Sequence, residues 1–309
     1  MKKIVDRADN VYLIDTKMFN FDGYCAAYLI KGQSLALIDT GLPNQLEVVK
    51  AGIKAHGFSV VDISSIFITH AHTDHCGNSA PLLNECPAAK VYVHPAGKNR
   101  LIDPGTDLAN LKGVISPHML ARFGVMEPVP PSRVQYLKDG DVFDLGNGEK
   151  LKVFFTPGHQ PSGVTILAEK NRGLFINDLV GLNLPEGDFS MILNPPGSDV
   201  VLAMESLRKL ANLPADCLYM GHYGVSENPS KIIQRALNNL QHLMDIGAQW
   251  VAAGKSEKIG PAITAVKIRE VAKLLPTRGK AMYDYLVEEL IPPQSKYFSE
   301  YYLKLKPHK

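Results

Sequence analysis

Short apolar runs alternate with polar turns over the first two-thirds of this 309-residue chain. The runs are rich in Val, Ile, Leu and Phe and are bounded by turn residues, a pattern typical of β-strands. They predict strands at residues 11–15, 26–30, 35–38, 66–68, 91–93, 134–137, 151–155, 164–167, 174–176 and 218–220. Apolar residues at helical spacing predict helices at 45–55 and 200–210. Strands and helices that alternate in two blocks favour an α/β architecture, in which helices cover the sheets.

The hydrophobic pattern becomes helical after about residue 229. It predicts three further helices, at residues 231–251, 261–275 and 280–290. The residues expected to end or separate these helices are Gly254, Gly260, Gly279, Pro292 and Pro293. We therefore expect a main domain at residues 1–228, followed by a C-terminal helical extension at residues 229–309.

Residues 103–131 interrupt the series of short strands. This stretch carries five prolines and scattered apolar residues, and it predicts a short helix near 118–123 with loops on both sides. A long irregular segment inside a compact domain is commonly functional. We therefore interpret it as an insertion on the substrate side of the main domain. Residues 182–196 have a similar character.

Composition and charge narrow the class of protein. Apolar residues make up 45% and charged residues 21% of the chain, and the formal net charge is only +2. These values are ordinary for a globular protein, so we expect no nucleic-acid partner and no membrane partner. The four cysteines form no Cys-x-x-Cys pair, which argues against a disulfide framework. The N-terminus is charged and lacks an apolar signal segment, so we expect a cytoplasmic location.

The densest group of candidate metal ligands directly follows the predicted strand at 66–68. The sequence Thr-His-Ala-His-Thr-Asp-His-Cys-Gly contains the potential ligands His70, His72, Asp74 and His75. In an extended backbone His70 and His72 point to the same side, because the side-chain period of a strand is two. This density of nitrogen and oxygen ligands at the end of a strand predicts a metal site.

Three more residues that can bind metal each follow closely on a predicted strand, namely His159, Asp178 and His222. Taken singly, each could be a turn residue or a helix cap. Together with the first group they supply seven ligands, which fits two divalent ions better than one. Zinc is the expected ion, with iron and manganese as alternatives, because histidine and carboxylate ligands suit all three.

These motifs resemble those of the metallo-β-lactamase superfamily, in its hydrolase branch that includes glyoxalase II. The resemblance covers about residues 10–225 and rests on THAHTDHCG, PGHQPSG, FINDLVG and GHYG, with LIDTG at 37–41 before them. It implies a four-layer αββα sandwich, in which Asp39 supports the metal loop without binding metal. It also implies one metal held by His70, His72 and His159, a second held by Asp74, His75 and His222, and Asp178 as the bridge.

The resemblance and the ligand set predict a dinuclear-metal hydrolase. A metal-bridging hydroxide would attack an ester, thioester or lactone of a small acyl-type substrate. Asp74 would orient the hydroxide and Asp178 would bridge the ions, so these two aspartates are the predicted catalytic residues. Three alternatives stay open: a phosphodiesterase on the same site, a mononuclear-iron dioxygenase of the same superfamily, and a non-catalytic binding or regulatory protein.

The C-terminal extension is basic and rich in tyrosine. Residues 254–309 hold eleven Lys or Arg and six Asp or Glu, a pattern typical of a solvated helical face. Aromatic side chains such as Tyr285 and Phe298 need a surface to cover. Three candidates are the main domain, the rim of the substrate pocket, and the partner in a homodimer formed through the C-terminal helices.

Overall fold

The computed structural model describes residues 10–105, 117–184 and 189–305 of the chain. The first of its two large sheets contains six strands in sequence order. These are β1 Val11–Asp15, β2 Ala26–Lys31, β3 Leu35–Ile38, β4 Ile63–Phe67, β5 Lys90–Val93 and β6 Val134–Tyr136. Neighbouring strands are antiparallel from β1 to β3 and parallel from β3 to β6. The carboxyl ends of β3, β4 and β5 therefore lie at one edge of this sheet.

The second large sheet also has six strands. They are β7 Val142–Gly146, β8 Glu149–Phe155, β9 Val164–Ala168, β10 Gly173–Ile176, β13 Cys217–Met220 and β14 Gly224–Ser226. A separate hairpin consists of β11 Leu182–Asn183 and β12 Ser190–Met191. In the sheet order β14-β13-β10-β9-β8-β7, β9 is antiparallel to both β8 and β10, whereas β10 and β13 are parallel. Strands β8, β10 and β13 therefore all end at the same edge.

Helices cover the outer faces of both sheets. The helices of the main domain are α1 Leu46–Ala55, α2 Thr73–Cys76, α3 Ser79–Glu85, α4 Lys98–Ile102, α5 Pro117–Phe123 and α6 Val200–Ala211. Those of the C-terminal extension are α7 Pro229–Ala252, α8 Ile259–Ala272, α9 Leu275–Asp284 and α10 Ile291–Lys304. A π-helix at Tyr285–Leu290 joins α9 to α10.

Three buried clusters separate four layers of secondary structure. The first cluster lies between α1, α3 and one face of the first sheet, to which β2 contributes Leu29. The second fills the space between the two sheets, where Phe67 and Ile166 are fully buried. The third joins Leu174 of β10 to Leu207 of α6 and continues into α7. Helix, sheet, sheet and helix thus follow one another, and the predicted αββα sandwich is confirmed.

All strands predicted from the sequence are present. The prediction missed the strands β7, β11, β12 and β14 and the helices α3, α4 and α10. β7 has a single buried residue and the other three strands are only two or three residues long, so none of them leaves a clear apolar run. It was wrong to treat Pro292 and Pro293 as helix breakers. They occupy the first turn of α10, where a proline removes no intrahelical hydrogen bond. Of the predicted insertion, α5 is present and residues 106–116 lie outside the described residues.

The C-terminal extension packs on its own main domain in two places. Phe298 of α10 joins Ile259 and Ile263 in the cluster outside the second sheet. Met282 and Tyr285 join a fourth cluster at the open edge of the sandwich, with residues of the β1–β2 loop and of the β11–β12 hairpin. None of the helices within the described ranges is long and apolar enough to cross a membrane.

Candidate metal centre

The seven predicted ligands converge at the edge where strands of both sheets end. His70 and His72 follow β4, and α2 carries Asp74 and His75. The second sheet contributes the other ligands from beyond the carboxyl ends of β8, β10 and β13, namely His159, Asp178 and His222. Because these three strands run in the same direction, residues more than sixty positions apart meet at one site.

Three imidazoles and one carboxylate form the first group. Ligand atoms of His70, His72, His159 and Asp178 all lie within 4.8 Å of one another. Nδ1 of His72 is 3.0 Å from Nε2 of His70 and 3.0 Å from Nε2 of His159. The first group is the arrangement that the family resemblance implied for one metal, with the carboxylate as an additional member.

A second group lies on the other side of Asp178. Its Oδ2 is 3.4 Å from Nε2 of His75 and 3.2 Å from Nε2 of His222. Asp74 Oδ2 lies 3.3 Å from the same nitrogen of His222 and 3.7 Å from Nε2 of His75. The structure therefore brings Asp74, His75 and His222 together, as the resemblance implied for the second metal.

Asp178 is the residue common to both groups. Its Oδ2 is also 3.6 Å from His70 Nε2 and 3.7 Å from His159 Nε2, so four imidazoles surround one carboxylate oxygen. Asn177, directly before it, donates from its side-chain amide to the Thr156 hydroxyl at 2.9 Å and accepts from Leu179 N. This turn fixes the direction in which the carboxylate points.

Hydrogen bonds behind the ligands set the orientation of their rings. Asp39 Oδ2 accepts from His75 Nδ1 at 2.8 Å and from the Thr69 hydroxyl at 2.7 Å. Nδ1 of His159 lies 3.2 Å from the carbonyl of Leu193, and Nδ1 of His222 lies 3.0 Å from the carbonyl of Tyr24. Since Nδ1 is engaged in this way, Nε2 of each of these rings is left to face the centre of the site.

The loop between His70 and His72 is tied to the Gln160–Ser162 turn. The N–H of Ala71 donates to Gln160 Oε1 at 2.9 Å and to Ser162 Oγ at 3.0 Å. The turn thus supplies two acceptors that hold the first metal-binding loop in place.

Burial and charge set the protonation of the imidazoles. Burial lowers the pKa of His159, and it lowers the pKa of His72 to about 3, so both rings are neutral at pH 7 and keep a lone pair for a metal. Burial also acts to lower the pKa of His75 and His222, but the negative charge of Asp178 and its neighbours outweighs it and raises both. In these positions a proton provides positive charge that a bound cation would otherwise supply.

The donor set fits divalent metal ions. In the described part of the chain, His75 Nε2 and Asp178 Oδ1 are buried without a hydrogen-bond partner, and such atoms are costly unless a ligand satisfies them. A Cβ atom at Gly221 would lie 2.6 Å from the His75 ring and 3.0 Å from Asp178 Oδ1, so only glycine leaves this space open. Imidazole nitrogens and carboxylate oxygens are ordinary ligands for zinc, iron and manganese.

Sequence reasoning missed Cys25 as a member of the site. Its Sγ lies within 4.8 Å of ligand atoms of Asp74 and His222, and the residue is fully buried. A single cysteine before a strand carries no recognisable motif, so only its position in the fold reveals it.

Cys76 is also buried but packs in the hydrophobic cluster under the first sheet. His94 belongs to none of the ligand groups and caps a short turn by accepting from Ala96 N.

A pocket opens onto the metal centre. Its floor contains His72, Asp74, His159, Asp178 and His222. Much of its wall is apolar, and the C-terminal extension supplies part of it through Tyr285, Glu289, Leu290, Pro293 and Gln294. Arg100 of α4 and Phe123 of α5 also line the pocket, so part of the predicted insertion lies beside it.

An αββα sandwich with a His- and Asp-rich centre at the end of its strands defines a class of protein, and comparison with known families agrees. The profile of the metallo-beta-lactamase superfamily matches residues 20–222, well over half of the chain. The protein therefore belongs to the metallo-beta-lactamase superfamily.

Individual relatives are distant. Beta-lactamase-like protein 2 homolog of Caenorhabditis elegans is 24% identical over 246 residues, 79% of this chain and 70% of that protein. Atrochrysone carboxyl ACP thioesterase of Aspergillus fumigatus is 26% identical over 68% of this chain and 54% of its own length. A metallo-beta-lactamase family protein of Thermus thermophilus has a solved structure that covers 96% of this chain and 94% of its own, with a TM-score of 0.65 and 20% identity. This likeness includes the C-terminal extension in the shared fold.

Proposed function

We propose that this protein is a two-metal hydrolase that cleaves an ester, thioester or lactone of a small acyl-type substrate. The observation that carries the proposal is the position of Asp178, whose Oδ2 lies within 3.2–3.7 Å of imidazoles from both ligand groups. A carboxylate shared in this way suits a pair of ions rather than a single ion.

The residues of the site divide the work of hydrolysis between them. Bound divalent ions would supply a water activated near neutral pH and a positive charge that polarises the substrate carbonyl. Asp178 would hold the two ion sites at a fixed separation through its carboxylate. Asp74 lies both in the second group and on the pocket floor, so its carboxylate can accept a hydrogen bond from the attacking water and orient it.

The apolar part of the pocket supports an acyl substrate. Leu193, Leu290 and Pro293 line the pocket that opens onto the metal centre. An acyl chain would bury apolar surface there, while its carbonyl reaches the metal ligands. The relation to a fungal acyl-carrier-protein thioesterase supports the thioester member of this substrate class.

Metal analysis combined with a substrate panel tests the proposal. Purified protein is loaded with zinc, iron or manganese, its metal content is measured, and turnover is followed on thioesters, esters, lactones and phosphodiesters. We expect two ions per chain and turnover of acyl substrates. Three results would contradict the proposal. One iron per chain with oxygen consumption would favour a dioxygenase, and tight binding of a substrate without turnover would favour a regulatory protein. Selective turnover of phosphodiesters would favour a phosphodiesterase.

His72→Ala provides the matching variant. Because His72 Nδ1 lies 3.0 Å from two other ligand nitrogens, its loss should lower metal content and reduce turnover by at least about a thousandfold. His242→Ala is the control, since His242 is an exposed histidine on α7 that is not part of the site. The assignment is wrong if His72→Ala keeps both its metal and its activity.

A further inference from the structure

The C-terminal extension places a buried amide in the wall of the pocket, next to apolar residues and in addition to the carboxylate of Glu289. Gln294, in the first turn of α10, is only 5% exposed and lines the pocket beside Leu193 and Pro293. A buried amide is unfavourable unless its oxygen and nitrogen form hydrogen bonds. Its hydrogen bonds therefore indicate what the amide does.

Two donors fix the orientation of this amide. The N–H of Asn194 donates to Gln294 Oε1 at 3.0 Å, and the Lys267 amine donates to the same oxygen at 3.2 Å. Neither donor could pair with the amide nitrogen in its place, since an NH₂ group accepts no hydrogen bond. The side chain cannot flip without losing the bond from Asn194 N, so Nε2 is held on the side away from this backbone N–H.

The Lys267 amine is itself held in place. It also donates to the carbonyl of Ile192 at 2.9 Å, and Lys267 is 4% exposed. Lys267 and Gln294 thus bind the backbone on both sides of Leu193, the residue whose carbonyl contacts the ring of His159. Gln294 and the predicted metal ligand His159 therefore contact the same short backbone segment. This shared segment gives the Gln294 amide a defined position relative to the metal centre.

The amide nitrogen has hydrogen-bonding capacity to spare. Across the described residues no acceptor pairs with Gln294 Nε2, and the group is not sealed from the pocket. An oriented donor in an apolar wall is the usual means by which a pocket selects one oxygen on a ligand. It discriminates strongly, because a ligand that lacks the oxygen leaves the donor buried and unpaired.

We propose that Gln294 determines substrate specificity by donating a hydrogen bond from Nε2 to an oxygen of the acyl group. The substrate class is then an acyl ester or thioester that carries a carbonyl, ether or hydroxyl oxygen along its acyl chain, in addition to the scissile carbonyl. The inference rests on the proposed function and narrows its substrate class to acyl groups that carry a second oxygen. Gln294 contacts the substrate in this scheme, and Lys267 acts through Gln294 as a positioning residue.

The test uses a series of alkanoyl thioesters of one chain length. Each member replaces one methylene of the acyl chain by a carbonyl, and the unsubstituted alkanoyl thioester is the reference. For the metal-loaded wild-type protein we expect kcat/KM for at least one substituted member to exceed that of the reference by roughly 10-fold to 100-fold. The favoured position reports where the acyl oxygen meets Nε2.

Gln294→Glu separates recognition from structure. Glutamate keeps an oxygen that accepts from Asn194 N and Lys267, so the fold and metal content should be retained, whereas the donor to the substrate becomes an acceptor. We expect the preference for the substituted thioester to disappear, so that the ratio of its kcat/KM to that of the reference falls to about one. Gln249→Glu makes the same chemical change at an exposed position of α7 and should keep the wild-type preference.

The outcomes distinguish the two proposals. If wild type hydrolyses all members at equal rates, or if Gln294→Glu keeps the preference, the role of Gln294 is wrong and the hydrolase assignment stands. If no ester or thioester is hydrolysed by the metal-loaded protein, the proposed function fails, and the inference fails with it. A Gln294→Met variant that folds and keeps the full preference also contradicts the inference, because methionine offers no N–H donor.

Discussion

Lys267 should make the folded protein more stable at pH 9 than at pH 7. Its amine is buried and its only described acceptors are the carbonyl of Ile192 and the amide oxygen of Gln294, both uncharged. Burial lowers the pKa of the amine from 10.5 to about 7, because a charged amine loses its hydration in the interior. Glu270, one turn further along α8, pairs with Lys273 at 2.6 Å and does not neutralise this charge.

The direction of the effect follows from proton binding. In the unfolded chain the Lys267 amine has its ordinary pKa and stays protonated up to about pH 10, whereas the folded chain releases this proton above about pH 7. Between these values unfolding takes up a proton, so raising the pH stabilises the folded state. Below the folded pKa the cost of the buried charge is fully present.

The magnitude can be worked out from the same two pKa values. A full proton difference changes the free energy of unfolding by about 1.4 kcal/mol per pH unit. At pH 7 the folded amine is half protonated, so the slope starts at half this value and then approaches it. From pH 7 to pH 9 the expected gain is about 2 kcal/mol.

Urea unfolding at pH 7, 8 and 9 measures this gain, with wild type compared to Lys267→Met at constant metal saturation. Methionine is similar in length and does not titrate, while all other ionisable groups are common to both proteins, so their contributions cancel in the difference. The unfolding free energy of wild type minus that of Lys267→Met should increase by about 2 kcal/mol from pH 7 to pH 9. Lys255→Met, at an exposed lysine, should retain the wild-type slope. Parallel stability curves for wild type and Lys267→Met would refute the reasoning.

Three further predictions concern the metal centre. Asp39→Ala removes the acceptor of His75 Nδ1 and should weaken metal binding roughly 10-fold to 100-fold in a competition titration; unchanged affinity would contradict a supporting role. Chelation of bound metal should lower the thermal midpoint, since metal present at a thousandfold excess over its dissociation constant contributes about 4 kcal/mol per site. Gly158→Ala should lower the unfolding free energy by about 3 kcal/mol, because φ is +139° there and a Cβ would overlap the backbone of Ala203; a wild-type urea midpoint would count against it.

The fold and the grouping of the ligands were accessible from the sequence for a physical reason. Buried strands leave dense apolar runs, and a chain that binds metal at strand ends must place its ligands just after those runs. His159, Asp178 and His222 could therefore be recognised one by one, although nothing local shows that they meet. The resemblance to a family supplied that step, and the directions of β8, β10 and β13 explain it.

Other parts of the site could not be predicted, because their signal lies only in packing. Cys25 has no neighbouring ligand in the sequence, and its place beside Asp74 depends on how two loops from one sheet meet. Pro292 and Pro293 look like a helix end, although the same residues are favourable in a first helical turn. Whether a Pro-Pro pair ends one helix or begins another is decided by the segment that follows it.

Lys267 and Gln294 show how residues of the C-terminal extension can affect a metal site whose predicted ligands all lie in the main domain. Every predicted metal ligand comes from the sandwich, whereas five of the residues that line the pocket wall come from beyond residue 280. The extension is linked to the ligands by the short backbone segment on which Leu193 contacts His159. If Gln294 recognises the substrate as proposed, we expect changes in the extension to alter which acyl group is accepted and to leave the ligand set intact. A lysine on a helix is ordinarily assigned to solvent, so this link becomes visible only when the burial of Lys267 is known.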